Sequence, residues 1–250
     1  MTALSKLDEL VVVLVRARNP LNIGAAARAL SNFGVRRLRV VNPYKLAFRE
    51  ARSAIGATDL LAEAEEYESV ANAIADCVLV VGTTAVHRRV LRHPVRRLDE
   101  EGGRLIRDQL TSGRVALLFG SEKIGLTTAD FSHCHWLLHI SAQEDHVSMN
   151  LGQAVAVCLY EIARDVAHEK PSSKKPVEEI PRASAGEVEL ITSILLDALR
   201  VSGYVKPGTE VIMEEKARRL VRRMNLQPGE ATVWLGMLRQ IAWKLGLPGR

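Results

Sequence analysis

The chain has 250 residues, 47 % hydrophobic and 25 % charged, with a net charge of +5. That length suits one large domain, or a medium domain with a small one. No stretch approaches the ~20 uninterrupted apolar residues of a membrane span, the N-terminus lacks the pattern of a signal peptide, and three scattered cysteines, Cys77, Cys134 and Cys158, argue against a disulfide framework. These features read as a reduced, cytoplasmic protein. Residues 1–165 carry 20 Lys+Arg against 19 Asp+Glu, and residues 166–250 carry 14 against 10, so the positive excess sits in the tail. It is a weak vote for a polyanionic partner.

In chain order, apolar β-rich runs recur at 10–15 (LVVVLV), 37–41 (RLRVV), 77–81 (CVLVV), 115–119 (VALLF) and 136–140 (WLLHI). Helical spacing falls between them, near 22–33, 69–75, 101–111 and 148–164. This alternation predicts an α/β fold, a parallel sheet with helices on both faces. The segment 167–182 (AHEKPSSKKPVEEIPR) has linker composition. After it, Ser184 with Glu187 forms a capping-box pattern, and helical spacing continues near 209–224 and 229–245. The expected organisation is an α/β domain over 1–166, a linker over 167–182 and a small helical unit over 183–250.

Three stretches carry chemistry. The first is NPLNIGAAARALSNFG, residues 19–34. Pro20 suits a first helical turn and Asn22 a cap. Gly24 and Arg28, four apart, share a helix face. The second, LLFGSEKIGL (117–126), ends a strand in a glycine loop, with Gly120 at its start and Glu122 on the rim of the sheet. The third, WLLHISAQEDHVSMNLGQAVAVCLYEI (136–162), runs from a strand through a loop into an apolar helix that Ser148 is placed to cap, with Asn150 in its first turn.

In this order the stretches resemble the three signature motifs of the SPOUT RNA methyltransferases. Within them they look like the TrmH-family ribose 2′-O-methyltransferases, with PLNIGAAARALSNFG and NLGQAVAVCLYE most similar to the TrmJ group. The resemblance spans roughly residues 8–165. It implies a deep trefoil knot at the C-terminal end of the sheet domain, which general topology rules argue against, and a homodimer. It implies S-adenosylmethionine as cofactor, held by Thr83, Thr84, Ala85, Gly120, Ile140, Val147, Ser148 and Met149. It implies catalytic roles for Arg28, Asn22, Glu122, Ser148 and Asn150, in attack of a ribose 2′-oxygen on the sulfonium methyl. A guanidinium is effectively never deprotonated, so Arg28 is read as a phosphate fork that stabilises the alkoxide, not as the base. The family pattern has Pro and Thr after the strand-ending Ile, where this chain has Ser141 and Ala142. The helical tail suits the TrmJ group, and implies tRNA as substrate, at nucleotide 32 of the anticodon loop. A ribosomal RNA ribose is the alternative within the same chemistry.

Two basic stretches are candidate RNA contacts. HRRVLRHPVRR (87–97) offers Arg88, Arg89 and Arg92. KARRLVRRM (216–224) sets Arg218 with Arg222, and Arg219 with Arg223, at i,i+4. Such like-charge pairs cost helix stability, which asks for a partner that offsets them. A non-catalytic RNA-binding module is the reading of another class, disfavoured because all five catalytic candidates are present. A dinucleotide oxidoreductase is disfavoured because no GxGxxG follows a strand. His133-Cys134-His135 lacks structural-zinc spacing, and no metal is expected.

Overall fold

LVVVLV becomes the central strand β1 (Leu10–Val15), with every side chain buried. Leu10, Val12 and Leu14 enter the apolar layer on one face of the sheet, and Val11, Val13 and Val15 the layer on the other. In this computed structural model, residues 7–53, 59–85, 91–142, 149–164 and 181–247 are described. After β1 come α1 (Pro20–Asn32), β2 (Arg37–Val41), α2 (Lys45–Ser53), α3 (Asp59–Ala62), β3 (Glu65–Tyr67), α4 (Val70–Ala73) and β4 (Leu79–Thr84). Then follow β5 (Val95–Arg97), one π turn (Leu98–Gly102), α5 (Gly103–Gln109), β6 (Val115–Phe119), α6 (Thr128–Ser132), β7 (Trp136–His139) and α7 (Leu151–Arg164).

The seven strands run parallel in the order β3-β2-β1-β6-β4-β7-β5. The carboxyl ends of β4, β6 and β7 therefore lie side by side, where open α/β sheets bind ligands. Helix α7 returns from β7 to pack on α1. A Cβ on Gly152 would sit 2.6 Å from Ala25 Cβ, so a glycine is what lets these two helices approach so closely.

Three helices close the described chain: α8 (Ala185–Val201), α9 (Glu210–Arg223) and α10 (Pro228–Lys244). They share an apolar cluster that includes Val188, Ile191, Val221 and Leu238. The Ser184–Glu187 capping box forms as the spacing predicts. The amides of Ala185 and Gly186 donate to the carbonyls of Cys77 (2.8 Å) and Ala75 (2.9 Å), fixing the start of α8 beside β4. Most of the stretch expected as a linker, through residue 180, lies outside the described residues. Among the described residues no helix is long and apolar enough to cross a membrane.

Several elements differ from the sequence expectation. The edge strands β3 (EEY) and β5 (VRR) are three residues each and carry charge, as edges do, so no apolar run announces them. Helices α2, α3 and α6 were likewise not anticipated. The third long strand starts two residues later than expected and runs on to Thr84. The cap of α1 is Asn19, whose side chain accepts from the Leu21 amide, with Pro20 at the first helical position. Asn22 is thereby freed for the site.

Candidate active site

A cavity of about 300 Å³ opens at the carboxyl ends of β4, β6 and β7. Its walls are Thr83, Thr84 and Ala85 after β4, residues 119–126 after β6, Ile140 and Ala142 after β7, Met149, Leu151 and Ala154 at the start of α7, and Phe131 of α6. That volume is at the lower end of small-molecule sites. Gly120 is required by the fold of the loop: a Cβ there would lie 2.0 Å from the Gly125 carbonyl carbon. Gly125, at φ +66°, turns the chain back so that its amide reaches the Ser121 carbonyl at 2.8 Å. Thr83 Oγ1 donates to the Leu118 carbonyl (2.9 Å), joining the β4 end to β6. Of the eight residues expected to hold a cofactor, Thr83, Thr84, Ala85, Gly120, Ile140 and Met149 all line this cavity. Val147 and Ser148 lie outside the described residues.

The three motifs meet at the rim in one hydrogen-bonded line. Glu122 accepts from the amides of Arg18 and Asn19 (3.2 Å each) and from Asn22 Nδ2 (3.0 Å). Asn22 Oδ1 accepts from Asn150 Nδ2 at 2.7 Å. Asn150 Oδ1 in turn accepts from the amides of Gly152 (2.9 Å) and Gln153 (3.3 Å), which makes Asn150 the cap of α7. Burial pushes the Glu122 carboxyl up, but the donors from its own backbone, Asn22, Arg18 and Asn19 outweigh burial and hold it below its ordinary value. It is an anion at neutral pH, and that charge fixes the orientation of both asparagine amides.

Arg28 stands on the exposed side of α1 and has no hydrogen-bond or ion-pair partner among the described residues. A Cβ on Gly24, one turn earlier, would meet nothing within 4 Å, so this face is open. Arg28 is therefore beside the Asn22 line rather than a member of it. Ser141, at the departure from the family pattern, donates to Asp99 Oδ1 at 3.1 Å. Its hydroxyl ties the loop after β7 to the π turn.

The tail arginines are placed differently from the sequence expectation. Arg218, Arg219 and Arg222 are 7 %, 8 % and 2 % exposed, so they do not form an open basic face. Arg218 donates to both oxygens of Glu189 (2.9–3.0 Å), to Glu214 (2.8 Å) and to Ser132 Oγ (3.1 Å). The like-charge i,i+4 pair is thus offset inside the protein, by Glu189 and Glu214. Arg222 approaches Glu189 only to 3.7 Å, and none of its three guanidinium nitrogens has a hydrogen-bond partner. Burial pushes its pKa down to about 10. Arg223 is exposed and donates to the Arg92 carbonyl, so α9 does meet the basic stretch 87–97 there. Arg88 and Arg89 lie outside the described residues.

Sequence reasoning missed three residues that shape the site. Arg16, in a left-handed conformation at φ +54°, forks onto the buried carboxylate of Asp130. That link fastens the β1–α1 loop, with the two amides that hold Glu122, to α6. Asp130 also completes a capping box with Thr127, and Phe131 beside it lines the cavity. The Thr-x-x-Asp spacing was the available signal for α6.

Known proteins share this architecture. The model of the SpoU rRNA Methylase family matches residues 9–160. The tRNA (cytidine/uridine-2′-O-)-methyltransferase TrmJ of Klebsiella pneumoniae subsp. pneumoniae is 32 % identical over 238 residues, covering 94 % of this chain and 97 % of that protein. The protein of the same name from Pectobacterium atrosepticum is also 32 % identical, with the same coverage. The crystal structure of TrmJ from Z. mobilis ZM4 superposes with a TM-score of 0.78 at 30 % identity, over 92 % of this chain and 98 % of that one. A match across three-fifths of the chain, and relatives of matching length at 32 % identity, place this chain in the SpoU rRNA Methylase family.

Proposed function

We propose that this protein transfers a methyl group from S-adenosylmethionine to a ribose 2′-hydroxyl of tRNA. The observation that carries the reading is the line Glu122–Asn22–Asn150, which draws three motifs to the rim of one cavity in a chain similar along nearly its whole length to tRNA (cytidine/uridine-2′-O-)-methyltransferases. The cavity residues fit the cofactor: small side chains and a glycine loop leave backbone groups open to an adenine and ribose, and no phosphate-binding loop is needed. Thr83, Thr84, Ala85, Gly120, Ile140 and Met149, with Val147 and Ser148, would hold it. When bound, it supplies an electrophilic sulfonium methyl.

The chain supplies position and charge. Asn22 and Asn150, locked by Glu122, form a rigid floor beside which the ribose is set for in-line attack. Arg28, unpaired and exposed, grips the phosphate next to that ribose and stabilises the alkoxide as it forms. A guanidinium is too weak a base to take the proton, so another group receives it. Arg92 and Arg223, with Arg219 beneath them, offer a phosphate contact outside the cavity; the three cations repel one another when no anion is present. The division into a methyltransferase domain (1–166), linker (167–182) and helical RNA-binding extension (183–250) belongs to this reading, as does the trefoil knot. So does a homodimer: α1 and α7, packed together, expose Leu21 (80 %), Tyr160 (56 %) and Val157 (38 %).

The test is methylation of unmodified tRNA transcripts with labelled S-adenosylmethionine, followed by nuclease digestion and mass spectrometry. The expected result is one 2′-O-methyl at nucleotide 32, lost in Arg28→Ala. No methyl on any tRNA, with the cofactor still bound, overturns the tRNA reading and turns the search to ribosomal RNA.

A further inference from the structure

Helix α6 is only five residues long, yet three consecutive side chains on it reach three different parts of the molecule. Asp130 meets Arg16 of the β1–α1 loop. Phe131 lines the cavity, and its other side meets the ring of His93 at 6.3 Å between centroids. Ser132, wholly buried, accepts a 3.1 Å hydrogen bond from Arg218 of α9. Just beyond, Cys134 Sγ packs so closely on β4 that a Cβ on Gly82 would lie 2.8 Å from it. Thr83 and Thr84, the next residues of β4, are cavity wall.

Arg218 bridges the tail helices to α6: one guanidinium nitrogen donates to Ser132, while the others fork onto Glu189 of α8. Its remaining donors are fixed by Glu189 and Glu214, so the guanidinium cannot swing without breaking partly buried ion pairs. A five-residue helix has little rigidity of its own and takes its position from such contacts.

We propose that Arg218 is a positioning residue for the cofactor cavity: through Ser132 it fixes α6 and with it Phe131, so that the helical tail sets the affinity for S-adenosylmethionine. The inference rests on the cofactor reading given above. The tail then does more than contact RNA. Its docking completes the cavity from behind, and a tail loosened from α6 leaves Phe131 less fixed in the wall.

The experiment is a double-mutant cycle read by calorimetric titration of S-adenosylmethionine into the full chain without RNA. Ser132→Ala removes the hydroxyl, and with it both the bond from Arg218 and the 2.6 Å bond to the Ala129 carbonyl within α6. Arg218→Lys keeps the charge beside Glu189 and Glu214 but loses the fork. Each single change is expected to raise the cofactor Kd roughly fivefold, the worth of one hydrogen bond, at unchanged stoichiometry. The double variant is expected to fall short of the sum of the singles, because both remove the Arg218–Ser132 bond. Loss of fold would instead lower the stoichiometry, and melting curves separate the two. Kd values within twofold of the parent overturn the proposal, as do effects that simply add. A parent chain that binds no S-adenosylmethionine overturns the cofactor reading itself, and this inference with it.

Discussion

Two polar networks join distant parts of this chain, and they are built on opposite principles. At the rim, Glu122, Asn22 and Asn150 link segments more than a hundred residues apart using neutral amides as donors around one carboxylate. Every bond is 2.7–3.3 Å long, and no atom of the three is left buried without a partner. Under the tail, Arg218 and Arg222 compete for Glu189, and Arg222 is buried with three unpartnered nitrogens. The Glu122–Asn22–Asn150 line itself contains no cation; Arg16 fastens the loop that supplies its amides to Asp130, and Arg28 keeps no partner among the described residues. The tail turns its cations inward. Clustering of arginines in the sequence therefore does not decide which of them meet RNA; the face they occupy does.

The comparison breaks first at Glu189. Glu189→Ala leaves Arg218 and Arg222 buried with too little negative charge, a loss expected at about 3–5 kcal/mol. Urea denaturation reads it, and a loss below about 1 kcal/mol would show that the tail is not held by this centre. At the rim the expected damage is to rate. Asn22→Ala cuts the line between Glu122 and Asn150, and a small misplacement of reacting groups costs roughly a hundredfold in turnover. Single-turnover methyl transfer at saturating cofactor measures it, while the melting temperature should move by only a few degrees. Unchanged turnover would remove Asn22 from the site.

The contrast also marks what the sequence made legible. Buried parallel strands are continuous apolar runs, so β1, β2, β4, β6 and β7 were readable, whereas β3 and β5 gain their strand state from one neighbour at each edge. Six of the residues expected to hold a cofactor line one cavity, because motif order fixes which strand ends they follow. The bond from Asn22 to Asn150 was not readable; it joins two side chains 128 residues apart and depends on Asn19, not Asn22, capping α1. Nor was the inward turn of Arg218 and Arg222. Helical spacing puts them on one face, but only the fold shows that α6 and Glu189 cover that face.

Acid should act on the tail network before the rim. Burial, reinforced by Arg218 and Arg222 at His133 and by Arg222 and Arg182 at His135, lowers their pKa values to about 2 and about 3. His135 Nδ1 also accepts the Val80 amide at 3.0 Å, a bond available only to the neutral ring. In the unfolded chain both rings titrate near 6.5, so between that pH and their folded values the unfolded state binds more protons. Stability is then full above about pH 6.5 and falls as pH falls, by up to ~1.4 kcal/mol per pH unit for each ring. Denaturation midpoints taken from pH 7.5 to 5 should drop, and the drop should shrink in His133→Gln. An equal slope in that variant would show that His133 carries none of it.

The smallest effect has the most telling sign. Arg222 is 2 % exposed, lies 3.7 Å from Glu189, and makes no hydrogen bond among the described residues. Its desolvation is therefore poorly compensated, while Arg218 already satisfies Glu189 through two of its nitrogens. Replacing a buried, badly paired ion by an apolar side chain of similar length is neutral or stabilising. Arg222→Met should raise stability by about 1 kcal/mol and leave tRNA affinity and its salt dependence unchanged. Arg223→Ala should do the reverse: no gain in stability, weaker binding and a salt slope smaller by about one. A fall in tRNA affinity in Arg222→Met equal to that in Arg223→Ala would mean that this arginine reaches RNA after all. The division between inward and outward cations would then fail at the residue where the structure draws it most sharply.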